Sequence, residues 1–238
     1  MTTRINLLSG PRNISTALMY SFASRSDTTV VDEPLYAHYL RVSGANHPGR
    51  EDILQSQDSD GDRVIKNCMR GECATPVIFF KNMAHHFLQV DLGALKSMTH
   101  LFLIRDPRSI IASYARVRPK VALSDIGLNQ QVTLYNSLTA AGEQVVVLDS
   151  GDLLADPPAM LPQLCQALGI EPDPAMLSWP AGPRPEDGVW AVHWYSSVHR
   201  STGFRSPSAQ TAPFPEQYQS ILKEALPLYH KLHEVRLV

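Results

Sequence analysis

Four short apolar runs stand out along the chain: INLLS (5–9), VIFFK (77–81), HLFLIR (100–105) and QVVVLD (144–149). Each is nearly continuous rather than alternating, the pattern of strands covered on both faces. TTVVDEP (28–34) predicts a fifth strand. Between the runs, apolar residues recur at helical spacing in STALMYSFASR (15–25), NMAHHFLQVDLGALKS (82–97), PRSIIASYARV (107–117), LSDIGLNQQVTLYNSLTAAG (123–142) and PAMLPQLCQALGI (158–170). An amphipathic helix, EQYQSILKEALPLYHKLHEV (216–235), closes the chain. Alternating strands and helices predict an α/β fold of three layers, α/β/α, with a mainly parallel central sheet. Right-handed crossovers then gather the strand C-terminal ends on one edge, where ligands bind in such sheets.

Two stretches interrupt the alternation. Residues 43–63 are polar and turn-rich and predict a mobile loop holding a short helix. Residues 171–215 are rich in proline but carry Trp179, Trp190, Trp194 and Tyr195, which are costly to expose, so this segment is expected to pack back over the sheet and its active edge. There is no internal repeat, and 238 residues suit one domain with a sizeable core.

Composition narrows the function. Apolar residues make up 44% of the chain, which argues against disorder. Net charge is −2 with no basic stripe, so nucleic acid is not an expected partner. Cys68, Cys73 and Cys165 show no C-x-x-C spacing, which argues against a disulfide framework and a zinc site. No signal-peptide pattern and no transmembrane run are read, so a cytoplasmic protein is expected.

The first apolar run leads into SGPRNISTALMYSF (9–22), a strand–turn–helix lacking the G-K-[ST] of a nucleotide-triphosphate loop. Helix-start amides and the helix dipole favour an anion there. Gly10 permits close backbone approach, Pro11 stiffens the turn, Arg12 supplies a bidentate cation, and Ser15 and Thr16 supply hydroxyls. The alternative is a capped turn with a solvated arginine. A second segment, LFLIRDPRSIIASYARV (101–117), ends a strand on Arg105, caps the next helix with Asp106 and Pro107, and carries Ser113 two turns along. Arg105 and Ser113 can grip one phosphate from two sides.

Here the chain resembles the sulfotransferase superfamily, which uses 3′-phosphoadenosine 5′-phosphosulfate. The family's R-D-P-R-x-x-x-x-S segment matches Arg105 through Ser113. Its early P-[KR]-S-G-[ST]-[ST] loop corresponds to Pro11, Arg12, Asn13, Ile14, Ser15 and Thr16, with Ile14 standing where the family prefers glycine. Asp152, Leu153, Leu154, Asp156, Pro157 and Leu168-Gly169-Ile170 match a structural segment. The resemblance covers residues 5–170. It implies a P-loop-NTPase-like fold, the phosphosulfate at the early loop, the 3′-phosphate at Arg105 and Ser113, and no metal. A late lid motif corresponds weakly to Arg200, Ser201, Thr202 and Gly203, for which a surface turn is the alternative.

Sulfonate transfer needs cations on the transferring group and a base near the acceptor. Arg12 fits the first role. Glu33, at the end of the second strand and held extended by Pro34, is the favoured base; capping of the next helix is the alternative. His85 or His86 is the alternative base, and Lys81, at a strand end, is a candidate contact to the sulfonate or acceptor. The expected activity is sulfonate transfer to a small-molecule hydroxyl or amine. A P-loop kinase-like phosphotransferase and a non-catalytic nucleotide-binding module are the alternatives. The closing amphipathic helix is a candidate homodimer interface.

Overall fold

The computed structural model describes residues 2–115, 121–205 and 214–238. Its five strands are β1 (Thr3–Ser9), β2 (Thr28–Asp32), β3 (Val77–Met83), β4 (Thr99–Ile104) and β5 (Val145–Asp149). They form one parallel sheet in the order β2-β3-β1-β4-β5. All five lie where continuous hydrophobicity predicts them. The chain leaves central β1 toward β2 and β3 on one side, then crosses to β4 and β5 on the other. That reversal places a topological switch point at the C-terminal ends of β1, β3 and β4.

Eleven α-helices among the described residues surround the sheet: α1 (Ser15–Ala23), α2 (Tyr36–Ser43), α3 (Arg50–Ser56), α4 (Gly61–Val64), α5 (Pro107–Ala115), α6 (Leu123–Ile126), α7 (Leu128–Ala140), α8 (Ser150–Ala155), α9 (Pro157–Leu168), α10 (Ala191–Trp194) and α11 (Gln219–His233). Strand side chains alternate between two cores. Ile5, Leu7, Phe79, Leu101 and Leu103 pack against α1 and α9 on one face. Leu8, Phe80, Phe102 and Ile104 pack against α7 and α11 on the other. Asp106 caps α5 by accepting from the Arg108 amide at 2.7 Å, and Pro107 opens the helix.

Three expectations need correction. The 82–97 segment is not a helix: β3 runs on to Met83, and two short turns follow, Ala84–Phe87 and Leu92–Leu95. Gln89 and Ser97 take positive φ there, and the Asp91 carboxylate caps the second turn through Gly93, so a continuous helix cannot form. The 123–142 pattern splits into α6 and α7 at Gly127, whose φ is 75°. Residues 43–63 carry two helices, α3 and α4, with Ile53 fully buried. The last two residues of the predicted 107–117 helix, and 206–213 of the proline-rich segment, lie outside the described residues.

The closing helix, α11, spends its apolar stripe on its own chain. Leu222, Ala225 and Leu232 are buried against α5, α7 and neighbouring strands. Beyond it, the Leu237 amide donates to the Val147 carbonyl and Arg236 pairs with Asp152 at 2.7 Å. No helix among the described residues is long and apolar enough to cross a membrane.

Candidate active site

A cavity of about 1020 Å³ opens at the C-terminal edge of the sheet. The elements that reach it are those the topology gathers there. Pro11 to Ala17 follow β1, Glu33 follows β2, Lys81 comes from β3, and Arg105 follows β4.

At one end the two phosphate-type motifs meet. Arg12 donates from Nε to Ser113 Oγ at 3.0 Å, and Arg105 donates from Nη1 to the Arg12 carbonyl at 2.6 Å. Pro11, Arg12, Asn13, Ser15, Thr16, Arg105 and Ser113 all line the cavity. Arg12 and Ile14 both adopt left-handed backbone, with φ of 60° and 51°. Ile14 therefore takes the conformation for which glycine is usual, although its β-branched side chain makes it strained. Alternation of left-handed and right-handed residues is one way that backbone amides form anion-binding nests. Ile14 is also the N-cap of α1 and has no side-chain acceptor, so the first-turn amides carry no side-chain cap. Asn13 is buried and its amide donates to the Leu103 carbonyl, tying the loop to β4. Gly10 does not line the cavity. A β-carbon there would sit 2.7 Å from the Ile126 carbonyl, so the close approach it permits is to the α6–α7 turn.

At the other end, the β2–β3 register sets Asp32 beside Lys81. Lys81 is fully buried, and its ammonium contacts Asp32 Oδ1 at 3.0 Å, the Tyr195 hydroxyl at 2.6 Å, and Glu33 Oε1. Its three protons are thus all engaged within the protein, and it lies inside a strand rather than at its end. Tyr195 donates to Asp32, accepts from Trp190 Nε1 at 3.0 Å, and is itself buried. The Gly188 amide reaches Asp32 at 3.2 Å.

Glu33 is buried but not extended. Its φ is 39°, with its amide on the Lys81 carbonyl at 2.7 Å and its carbonyl taking the Gln57 side chain at 3.0 Å. Those bonds and the Lys81 ion pair override the preference that Pro34 imposes. Nor does the Asp32-Glu33 pair cap α2, whose N-cap is Leu35 without a side-chain bond. Burial, opposed by Lys81 and reinforced by Asp32, raises the Glu33 carboxyl to about 6. Its Oε2 lies 3.8 Å from His86 Nδ1.

Rings wall this end. Tyr36 and Tyr39 stack on buried His86 with centroids 4.7 and 4.9 Å apart. His85 lines the cavity edge-on to Tyr39 at 4.8 Å, and burial lowers it to about 4, a neutral imidazole at pH 7. His86 is lowered further by the same cause.

The late stretch is divided. Ser201 and Gly203 line the cavity, whereas Arg200 and Thr202 do not. A bridge from Ser178 to Gly203 and a bond from the Trp179 amide to the Thr202 carbonyl pin this strip against residues 174–179. The Ser201 hydroxyl takes the Trp179 indole and donates to the Val198 carbonyl. The cation this strip brings to the cavity wall is Arg205. Reading the sequence also missed Asp32 as a partner of Lys81, the Tyr195 hydroxyl, and the Tyr36–Tyr39–His86 stack. Nothing local in the sequence indicated what Tyr36 and Tyr39 face. Among the described residues, no group of three or more His, Cys, Asp or Glu side chains is arranged to hold a metal ion.

A family profile described as "Sulfotransferase domain" matches residues 3–235. The chain belongs to the sulfotransferase-domain family. It is similar, at 41% identity over 229 residues, to branched-chain-amino-acid aminotransferase-like protein 1 of Arabidopsis thaliana. That match takes in 96% of this chain and 41% of the relative, so the chain spans less than half of that protein's length. In fold it is similar to a sulfotransferase from Alicyclobacillus acidocaldarius, with a TM-score of 0.58, 13% identity, and coverage of 100% of this chain and 98% of that one. It is also similar to the sulfotransferase domain from the curacin biosynthetic pathway, with a TM-score of 0.55, 16% identity, and coverage of 94% and 97%. At these identities the likeness is one of sulfotransferase fold.

Proposed function

We propose that the chain transfers a sulfonate group from 3′-phosphoadenosine 5′-phosphosulfate to the hydroxyl or amine of a small acceptor. The observation that carries this reading is the meeting of Arg12, Arg105 and Ser113 at one end of a cavity whose other end holds Glu33. Two arginines, two hydroxyls of Ser15 and Thr16, and the uncapped start of α1 fit a nucleotide carrying two separate anionic groups. Arg105 and Ser113 would hold its 3′-phosphate; Arg12 and the loop amides would hold its phosphosulfate. When bound, the donor supplies a sulfonate activated by a good leaving phosphate. Arg12 and the α1 amides take up the charge left on that phosphate.

Glu33 takes the acceptor's proton as the acceptor oxygen or nitrogen bonds to sulfur. Its raised affinity for a proton makes it a stronger base than His85, by the difference between about 6 and about 4. Lys81, with every proton engaged, holds Glu33 in place rather than gripping the sulfonate.

Radiolabelled donor, incubated with a panel of alcohols, phenols and amines, tests the reading. Labelled product is expected with the parent, and product formation should fall by about 10²-fold or more with Glu33→Gln. The base works only when ionised, so kcat/KM should fall as pH drops through about 6. Full activity in Glu33→Gln would remove Glu33 as the base; no labelled product from any acceptor would leave a nucleotide-binding module.

A further inference from the structure

The Lys81 cluster is lopsided: one buried ammonium faces two buried carboxylates. Asp32 is the better served of the two. It accepts from Lys81, from Tyr195 and from the Gly188 amide, whereas Glu33 Oε1 is the oxygen that Lys81 holds. Tyr195 takes the third ammonium proton and is steered by Trp190 Nε1. We propose that Asp32 and Tyr195 are positioning residues that draw two of the three Lys81 protons away from Glu33, leaving its carboxylate fixed in place yet weakly neutralised at the acceptor end of the cavity.

The physical consequence follows from competition for one cation. If Lys81 served Glu33 alone, its charge would favour the ionised carboxylate and make it a poor base. With Asp32 sharing that charge, and Asp32 itself repelling a second anion, Glu33 keeps its proton affinity. The groups that face Glu33 are Lys81 from β3, Asp32 from β2, Tyr195, His86 after β3 with His85 edge-on behind it, Tyr36 from α2 and Gln57 after α3. Lys81 is the one among them that carries positive charge at pH 7, because both histidines are held neutral by burial. Gly188 completes the device: a β-carbon there would strike the Trp190 ring at 2.1 Å, so the turn that delivers its amide to Asp32 requires glycine.

This inference gives Asp32 and Tyr195 a role in the reaction proposed above, yet its test does not depend on turnover. Carboxyl-carbon NMR of the glutamate-labelled chain reports the Glu33 titration, assigned by the signal that Glu33→Gln loses. The Glu33 midpoint should fall by roughly one pH unit in Asp32→Asn. Asp32→Ser, which also removes the charge but leaves a hydroxyl for Tyr195, should lower it likewise and serves if Asp32→Asn does not fold. A residue that merely supported the fold would not move that midpoint. A Glu33 midpoint unchanged in a folded variant overturns the proposal, whatever the transfer assay gives. A midpoint that falls as expected in a protein without sulfonate transfer would uphold the tuning and sink the reaction instead.

Discussion

Arg105 leaves β4 half-buried, with one guanidinium nitrogen on the Arg12 carbonyl. Arg105 lines the cavity beside Ser113, and a guanidinium is suited to binding a phosphate through more than one hydrogen bond. Arg105→Ala should weaken binding of 3′-phosphoadenosine 5′-phosphate by roughly 1.5–3 kcal/mol, the scale of a lost charged hydrogen bond. Calorimetric titration of parent and variant measures it, and equal affinities would remove Arg105 from the 3′-phosphate site. Single residues were also where reading the sequence reached furthest and then stopped. Arg12, Arg105 and Ser113 were legible because each sits at a fixed offset from a strand end. Asp32 and Tyr195 were not, because their contact spans 163 positions and exists only once the 188–195 segment has folded onto β2. Arg200 was the lid cation read from the sequence, but this strip pairs with residues 178–179 and the arginine it brings to the cavity is Arg205.

Among elements, the turn from β1 to α1 is the one on which the site depends. It is held from three directions: Asn13 bonds the Leu103 carbonyl, Arg105 bonds the Arg12 carbonyl, and Gly10 lies against the α6–α7 turn. Such bracing offsets the left-handed backbone at Arg12 and Ile14. Gly10→Ala places a β-carbon on the Ile126 carbonyl, and one turn must yield to the other. A loss of about 1–3 kcal/mol in stability is expected, as for overpacking, together with weaker nucleotide binding. Denaturant unfolding reads the first and calorimetry the second; unchanged stability would mean that the two turns do not bear on each other. Strands were legible because a parallel sheet buries both faces and leaves continuous apolar runs. The 82–97 segment misled because its apolar residues repeat at helical spacing while β3 carries on through Asn82. That asparagine donates to Asn6 within the sheet at 2.9 Å, a strand role that periodicity does not encode.

In the molecule as a whole, strand order does most of the assembly. Central β1 carries the anion loop, β4 beside it carries Arg105, and β3 and β2 on its other flank carry Lys81 and Glu33. Parallel pairing puts all four C-terminal ends on one edge, so residues from 12 to 113 in the sequence meet around one cavity. The 188–205 segment then closes over Lys81 and supplies part of the wall. The central claim is that this edge holds a 3′-phosphorylated adenine nucleotide. Calorimetric titration with 3′-phosphoadenosine 5′-phosphate, against AMP and ATP and with and without magnesium, tests it most directly. The account predicts metal-independent binding that requires the 3′-phosphate. Preference for magnesium-ATP, or equal affinity for AMP, would contradict it.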